Sequence, residues 1–222
     1  MIDTARVDAR EITQKERNWS AQAHLDDRVV RYLLIKDLTR NNLYPYLPHA
    51  IDAVFDADDS YLFRARDVDL LIHDAYNKNW LELEVKVDGY EIVTNYRTQK
   101  KEKFIAVETV SNDAKGTPGW LYTSEANYFL YYFKAYDRYI ILDADWLRQY
   151  VDDNKNTLVQ FKTRTFAGDN KTIIYHSLGY LVPIFELNLR WIAPARGFTF
   201  AKAQQDMVRQ GLLPREDPNL LF

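Results

Sequence analysis

Cysteine is absent from the 222 residues, which excludes disulfides, thiolate zinc sites and cysteine nucleophiles and agrees with a cytoplasmic setting. Histidine is scarce. His24, His49, His73 and His176 fall in no metal-binding spacing, so histidine catalysis has little to stand on. With seven glycines and neither a P-loop nor a dinucleotide fingerprint, phosphate handling by a glycine-rich loop is not expected. No apolar run approaches the roughly 18 residues of a membrane span, and residues 1–18 are charged throughout, without the apolar core of a signal sequence. Positive charge is not in excess either. A net charge of −3 counts mildly against nucleic-acid binding, which draws affinity from phosphate neutralisation.

What is present reads as one folded domain over 1–222, since 47% hydrophobic and 27% charged residues are globular proportions and no repeat, low-complexity stretch or linker divides the chain. A helix is expected over 13–38, starting at Thr13 or Ser20, because Leu25, Val29, Tyr32, Leu33 and Lys36 recur at spacings of three and four. Glu16, His24 and Asp27, on or before it, read as surface positions. After an irregular aromatic segment broken by Pro45 and Pro48, a core sheet is expected over 50–152. It begins with a short strand from Ala50 to Phe55 and includes a central strand from Asn127 to Phe133 and another from Arg138 to Leu142. A helix capped by Asp143 or Asp145 then runs through Trp146 to Val151. In 157–222, a hairpin pairs Leu158–Phe166 with Lys171–Tyr175, a last strand runs from Tyr180 to Leu187, and a short helix from about Phe200 to Gly211 precedes an open tail.

The chemistry concentrates in a hairpin over 67–87. Val68, Leu70 and Ile72 alternate with Asp67, Asp69 and His73, and Leu81 to Val87 alternates more strictly, sending Glu82, Glu84 and Lys86 to one face. Asn77-Lys78-Asn79 between them is turn chemistry, because Asn tolerates positive φ. A two-residue loop at Asn77-Lys78, or a four-residue loop from Tyr76 to Asn79, pairs Asp69 with Lys86 and sets Glu84 diagonal to Asp69. A one-residue slip would separate the two acids onto opposite faces. Two carboxylates and an ammonium on a shared face are poor material for a core but suit a divalent cation and a phosphodiester.

The spacing, the hairpin and the residue types together resemble the active-site motif of the PD-(D/E)xK nuclease superfamily. Asp69 matches the motif's aspartate, Glu84 its second acid and Lys86 its lysine, while Val68 stands where the family name has a proline that supplies no ligand. The resemblance implies an α/β fold with a restriction-endonuclease-like mixed β-sheet flanked by helices, the N-terminal helix first. It also implies a metal-dependent deoxyribonuclease in which Asp69 and Glu84 bind Mg²⁺ or Mn²⁺ and Lys86 assists the attacking water. Such an enzyme of this length suits a small DNA-processing or phage-encoded nuclease, working in the cytoplasm or a host's cytoplasm, with DNA as partner, a homodimer as one arrangement and no membrane.

Supporting residues remain open between two roles each. Glu82 is a group behind the ligands or an exposed acid, and Glu108 is either an additional acid of the site or a strand-end carboxylate near the hairpin. Trp120, in the loop from Gly116, contacts DNA or anchors that loop on the core. Arg97, Lys100, Lys101 and Lys103 follow the hairpin and Arg66 precedes Asp69, so positive charge for DNA is concentrated beside the site. The alternative function is a non-catalytic nucleic-acid-binding or assembly protein that keeps the fold, and a third is an enzyme acting on RNA or a small phosphate ester.

Overall fold

A computed structural model describes residues 9–41, 43, 46–48, 50–58, 60–88, 92–94, 101–166, 173–184 and 191–213, with side chains described from 23 onward apart from 88, 92–94, 101–103 and 166. The long helix α1 (Ala9–Asp37) begins earlier than the apolar spacing alone suggests, and Val29, Val30, Leu33, Leu34 and Leu38 form its buried stripe. It is followed by β1 (Ile51–Asp56), the one-turn α2 (Tyr61–Arg64), β2 (Leu70–Asp74) and β3 (Asn79–Asp88). Next come β4 (Ile92–Thr94), β5 (Lys101–Asn112), β6 (Thr117–Pro118), α3 (Trp120–Thr123), β7 (Tyr128–Phe133) and β8 (Arg138–Asp143). The chain continues through α4 (Ala144–Asn154), β9 (Val159–Phe166), β10 (Ile173–Pro183) and α5 (Phe200–Arg209). No helix among the described residues is long and apolar enough to cross a membrane.

The architecture is mixed α/β with the N-terminal helix first, but it holds two sheets where one was expected. The first has the order β1-β2-β3-β7-β8, antiparallel except where β3 and β7 run parallel, as a chain excursion between them requires. That excursion is β4 to α3. Its strand β5 does not lie beside the hairpin, as the pairing of sequential strands predicts, but in a second sheet of order β4-β5-β10-β9. Nor is there a separate last strand from Tyr180: Ile173–Pro183 forms one strand, β10, while 171–172 and 185–187 lie outside the described residues. Gly179 makes that continuous strand possible, since a Cβ there would stand 2.1 Å from the Val107 carbonyl oxygen and 2.5 Å from the Phe161 ring.

Both faces of the first sheet are covered. Leu70, Ile72, Leu83, Val85, Leu130, Tyr132 and Ile141 pack under α1 and α5, and Phe129, Tyr131, Phe133, Ile140 and Leu142 pack against Ile105, Val107 and Val182 of the second sheet together with Leu121 and Leu147. Asp143 caps α4 by accepting from the Trp146 amide at 2.8 Å, and Thr199 caps α5 by accepting from the Lys202 amide at 3.3 Å. Two polar clusters tie α1 to distant chain. Buried Asp37 accepts from the Tyr139 hydroxyl at 2.6 Å and from the Ala195 amide, and Asp206 on α5 accepts from the Tyr32 hydroxyl at 2.6 Å and Lys36 at 2.7 Å.

Candidate active site

The hairpin of β2 and β3 closes differently from the expected turn. Asp74 pairs with Asn79, so the loop is Ala75 to Lys78, and its left-handed residue is Lys78 (φ 58°), not an asparagine. The cause is Asp74, whose carboxylate accepts from the Tyr76 amide at 2.9 Å, the Asn77 amide at 3.2 Å and the Asn77 side chain at 2.6 Å. These contacts choose the loop. The ladder sets Leu70 against Leu83 and Leu71 against Glu82, a two-residue shift from the register that pairs Asp69 with Lys86. Because the shift is even, the faces are kept. Asp69 therefore lies across from Glu84 instead of diagonal to it.

Asp69 sits just before β2, where Asp67 in a left-handed conformation (φ 50°) turns the chain. Thr123 Oγ1 donates to Asp67 Oδ2 at 2.7 Å and Ser124 Oγ to the Asp67 carbonyl at 2.9 Å. The Asp69 amide donates to the Leu83 carbonyl at 2.9 Å, and its Oδ2 accepts from the Val85 amide at 2.7 Å. Backbone thus fixes both ends of this residue.

Glu84 is 5% exposed, and its carboxyl shares a hydrogen bond with Asp69 and another with the Lys86 ammonium. Burial pushes the Glu84 pKa up to about 8; Lys86 opposes the rise and neighbouring Asp69 adds to it. Asp69 is raised as well, chiefly by burial, against the Val85 amide, Lys86 and Arg31. Burial thus favours the protonated form of Glu84 beside Asp69. Lys86 Nζ lies 5.0 Å above the Trp120 ring. That ring is half-buried against Phe129 at 5.1 Å and Tyr131 at 6.0 Å.

Two residues of α1 join this group, a pattern that helical spacing does not reveal. Asp27, read from the sequence as a surface position, is partly buried; burial raises its pKa, and both Asp69 and Lys86 lie close enough to act on it. Arg31 is buried and reaches Asp56, Asp58 and Asp69. The apolar stripe places α1 on the sheet, so the residues at its flank face the hairpin's polar end. A buried basic residue inside an apolar stripe was the available signal.

The other sequence-derived residues fall in several places. Arg66 makes a bidentate pair with Glu82, at 2.8 and 2.7 Å, and a further bond to Glu125 at 2.6 Å, so the charge of Arg66 is engaged within the fold and Glu82 is a half-buried partner. Glu108 lies on β5 opposite Gly179, and its neighbours Ile105 and Val107 fill the core. Lys101 and Lys103 are on β5 with only their backbone described, and Arg97 and Lys100 lie outside the described residues. Toward the hairpin tip the site's face carries exposed aromatics: Phe55 and Trp80 approach to 5.5 Å, and His73, bonded to Asp52 at 2.6 Å, lies tilted against Trp80 at 4.8 Å.

Among the described residues no group of three or more metal-ligating side chains converges. The chemistry of the donor set nonetheless fits Mg²⁺ or Mn²⁺. These ions take one or two carboxylates from a protein and complete their shell with water and phosphate oxygens, and a cluster in which Asp27, Asp56, Asp58, Asp69 and Glu84 outnumber Arg31 and Lys86 gains from such an ion. No family model, no curated protein and no solved structure matches this chain, and its chemistry must be read from its own side chains.

Proposed function

We propose that the chain is a metal-dependent deoxyribonuclease that hydrolyses DNA phosphodiester bonds. The observation that carries this reading is the contact between the buried Glu84 carboxyl and the half-buried Asp69 carboxyl, with Lys86 bonded to Glu84. Around this contact five acids, Asp27, Asp56, Asp58, Asp69 and Glu84, face two bases, Arg31 and Lys86, and such an excess of negative charge has a rationale when a cation or a proton is to be handled there. The mixed α/β architecture with its N-terminal helix first agrees with the coarse expectation from the PD-(D/E)xK resemblance, although two sheets stand where it implies one.

Asp69 and Glu84 would hold the ion, with Asp69 aimed by the Val85 amide. A bound divalent ion supplies charge for the phosphate oxygens and acidifies a water. Lys86, held by Glu84 and by the Trp120 face, would orient the attacking water by donating to it and would offset the charge that develops on the phosphate. Ion binding would favour the deprotonated form of Glu84, whose carboxylate would serve as a ligand beside that of Asp69. DNA is the substrate class implied by the resemblance; the acidic surroundings of the site require the cation to be in place before a phosphate approaches.

The test is cleavage of plasmid and linear DNA in Mg²⁺ or Mn²⁺, with EDTA and Lys86→Ala as controls. Wild type should cleave and Lys86→Ala should be slower by about a hundredfold or more. Equal trace cleavage by both proteins would sink the proposal and leave the non-catalytic nucleic-acid-binding reading.

A further inference from the structure

Arg31 is buried on α1, with its side chain 10% exposed, and it faces aspartates from two other segments. Its Nη2 donates to Asp58 Oδ2 at 2.8 Å and its Nε to Asp56 Oδ2 at 3.4 Å, while Nη1 lies 3.9 Å from Asp69 Oδ1. The last contact is too long for a hydrogen bond. Asp69 does not need it for orientation, because its other oxygen is held by the Val85 amide. What Arg31 gives Asp69 is charge. Lys86 serves Glu84 in the same way, so each acid of the buried pair has its own cation.

We infer that Arg31 is the resident counter-cation of the Asp69–Glu84 pair, carrying part of the charge a divalent ion would carry and so setting how tightly that ion binds. The inference rests on the proposed reading of these acids as ligands and deepens it. A guanidinium cannot lose its proton in a protein, so an arriving ion works against a fixed positive charge a few ångströms away. Asp56 and Asp58 moderate this opposition: they hold Arg31 by direct hydrogen bonds and draw its charge from Asp69. Removing Arg31 should therefore tighten ion binding. Damage to the fold would loosen it.

Calorimetric titration of the full chain with Mn²⁺ tests this, with thermal unfolding of the metal-free protein as the check on folding. Arg31→Gln should bind Mn²⁺ roughly three- to tenfold more tightly than wild type, the size expected of one removed charge at partly screened range. Arg31→Lys, which keeps the charge, should stay within about twofold of wild type. Asp58→Asn should bind more weakly, because it removes a negative charge and frees Arg31 toward Asp69. Binding by wild type with unchanged or weaker affinity in folded Arg31→Gln overturns the inference alone. No binding by wild type and Arg31→Gln alike overturns the metal reading and the inference with it. Should Arg31→Gln not fold, Asp58→Asn decides: affinity equal to or above wild type overturns the inference.

Discussion

Glu84 is buried beside Asp69 with its pKa raised, and that burial links the site to stability. An acid whose folded pKa is raised binds more protons in the folded state than in the unfolded one. The resulting stability is present below the unfolded value near 4.5 and is lost as pH rises through about 8. Glu84→Gln cannot ionise and keeps a donor for Asp69. It should be more stable than wild type at pH 8.5 by about 1–2 kcal/mol in urea unfolding, with the difference vanishing near pH 4. No gain at pH 8.5 would mean that the carboxyl pair is not strained. Mn²⁺ should restore the deficit in wild type: at ten times its Kd, binding adds about 1.4 kcal/mol, and Glu84→Gln should show less of this gain.

The hairpin and the α3 corner position the site, and each rests on a few contacts. Asp74 organises the loop through three hydrogen bonds, so Asp74→Ala should lower stability and, if the loop re-forms around Asn77, shift the register that brings Asp69 across from Glu84. Two-dimensional NMR of the cross-strand contacts between Leu70 and Leu83 reads that shift directly. Lys78→Gly relieves a left-handed side chain and should stabilise the hairpin by up to about 1 kcal/mol. At the other corner, a Cβ on Gly119 would lie 2.5 Å from the Glu108 carbonyl oxygen. Gly119→Ala should destabilise by about 2 kcal/mol and displace Trp120 from Lys86, so that cleavage falls more than the stability loss alone explains.

Across the molecule, α1 is tied to β8 through Asp37 and to α5 through Asp206, and it carries Arg31 and Asp27 to the site. Its link to α5 runs through Asp206, whose pKa is lowered to about 2 by hydrogen bonds from Lys36 and Tyr32. A lowered acid contributes stability that is full above its unfolded value near 3.8 and is lost as pH falls toward 2. Asp206→Asn should therefore flatten the acid limb of the stability curve between pH 4 and 2 and leave the limb near pH 8, which belongs to Glu84, unchanged. A loss of the pH 8 limb in that variant would show that α5 and the carboxyl pair are not independent.

Alternation along Leu81–Val87 was enough to place Glu84 and Lys86 on one face, and the parity of Asp69 was legible for the same reason: side chains in strands repeat every two residues. Turn composition was enough for a hairpin but not for its register, because three asparagine and lysine positions suit several loops and Asp74 chose among them. The second sheet was hidden from the pattern because β5 is as apolar as a strand neighbouring the hairpin would be, and only packing of Ile105 and Val107 against Phe129 and Tyr131 assigns it elsewhere. Local periodicity thus specified which acids and which lysine could meet. Their company of Asp27, Arg31 and Trp120 comes from segments far apart in the chain, and contacts of that kind exist only once α1 and α3 have closed around the sheet.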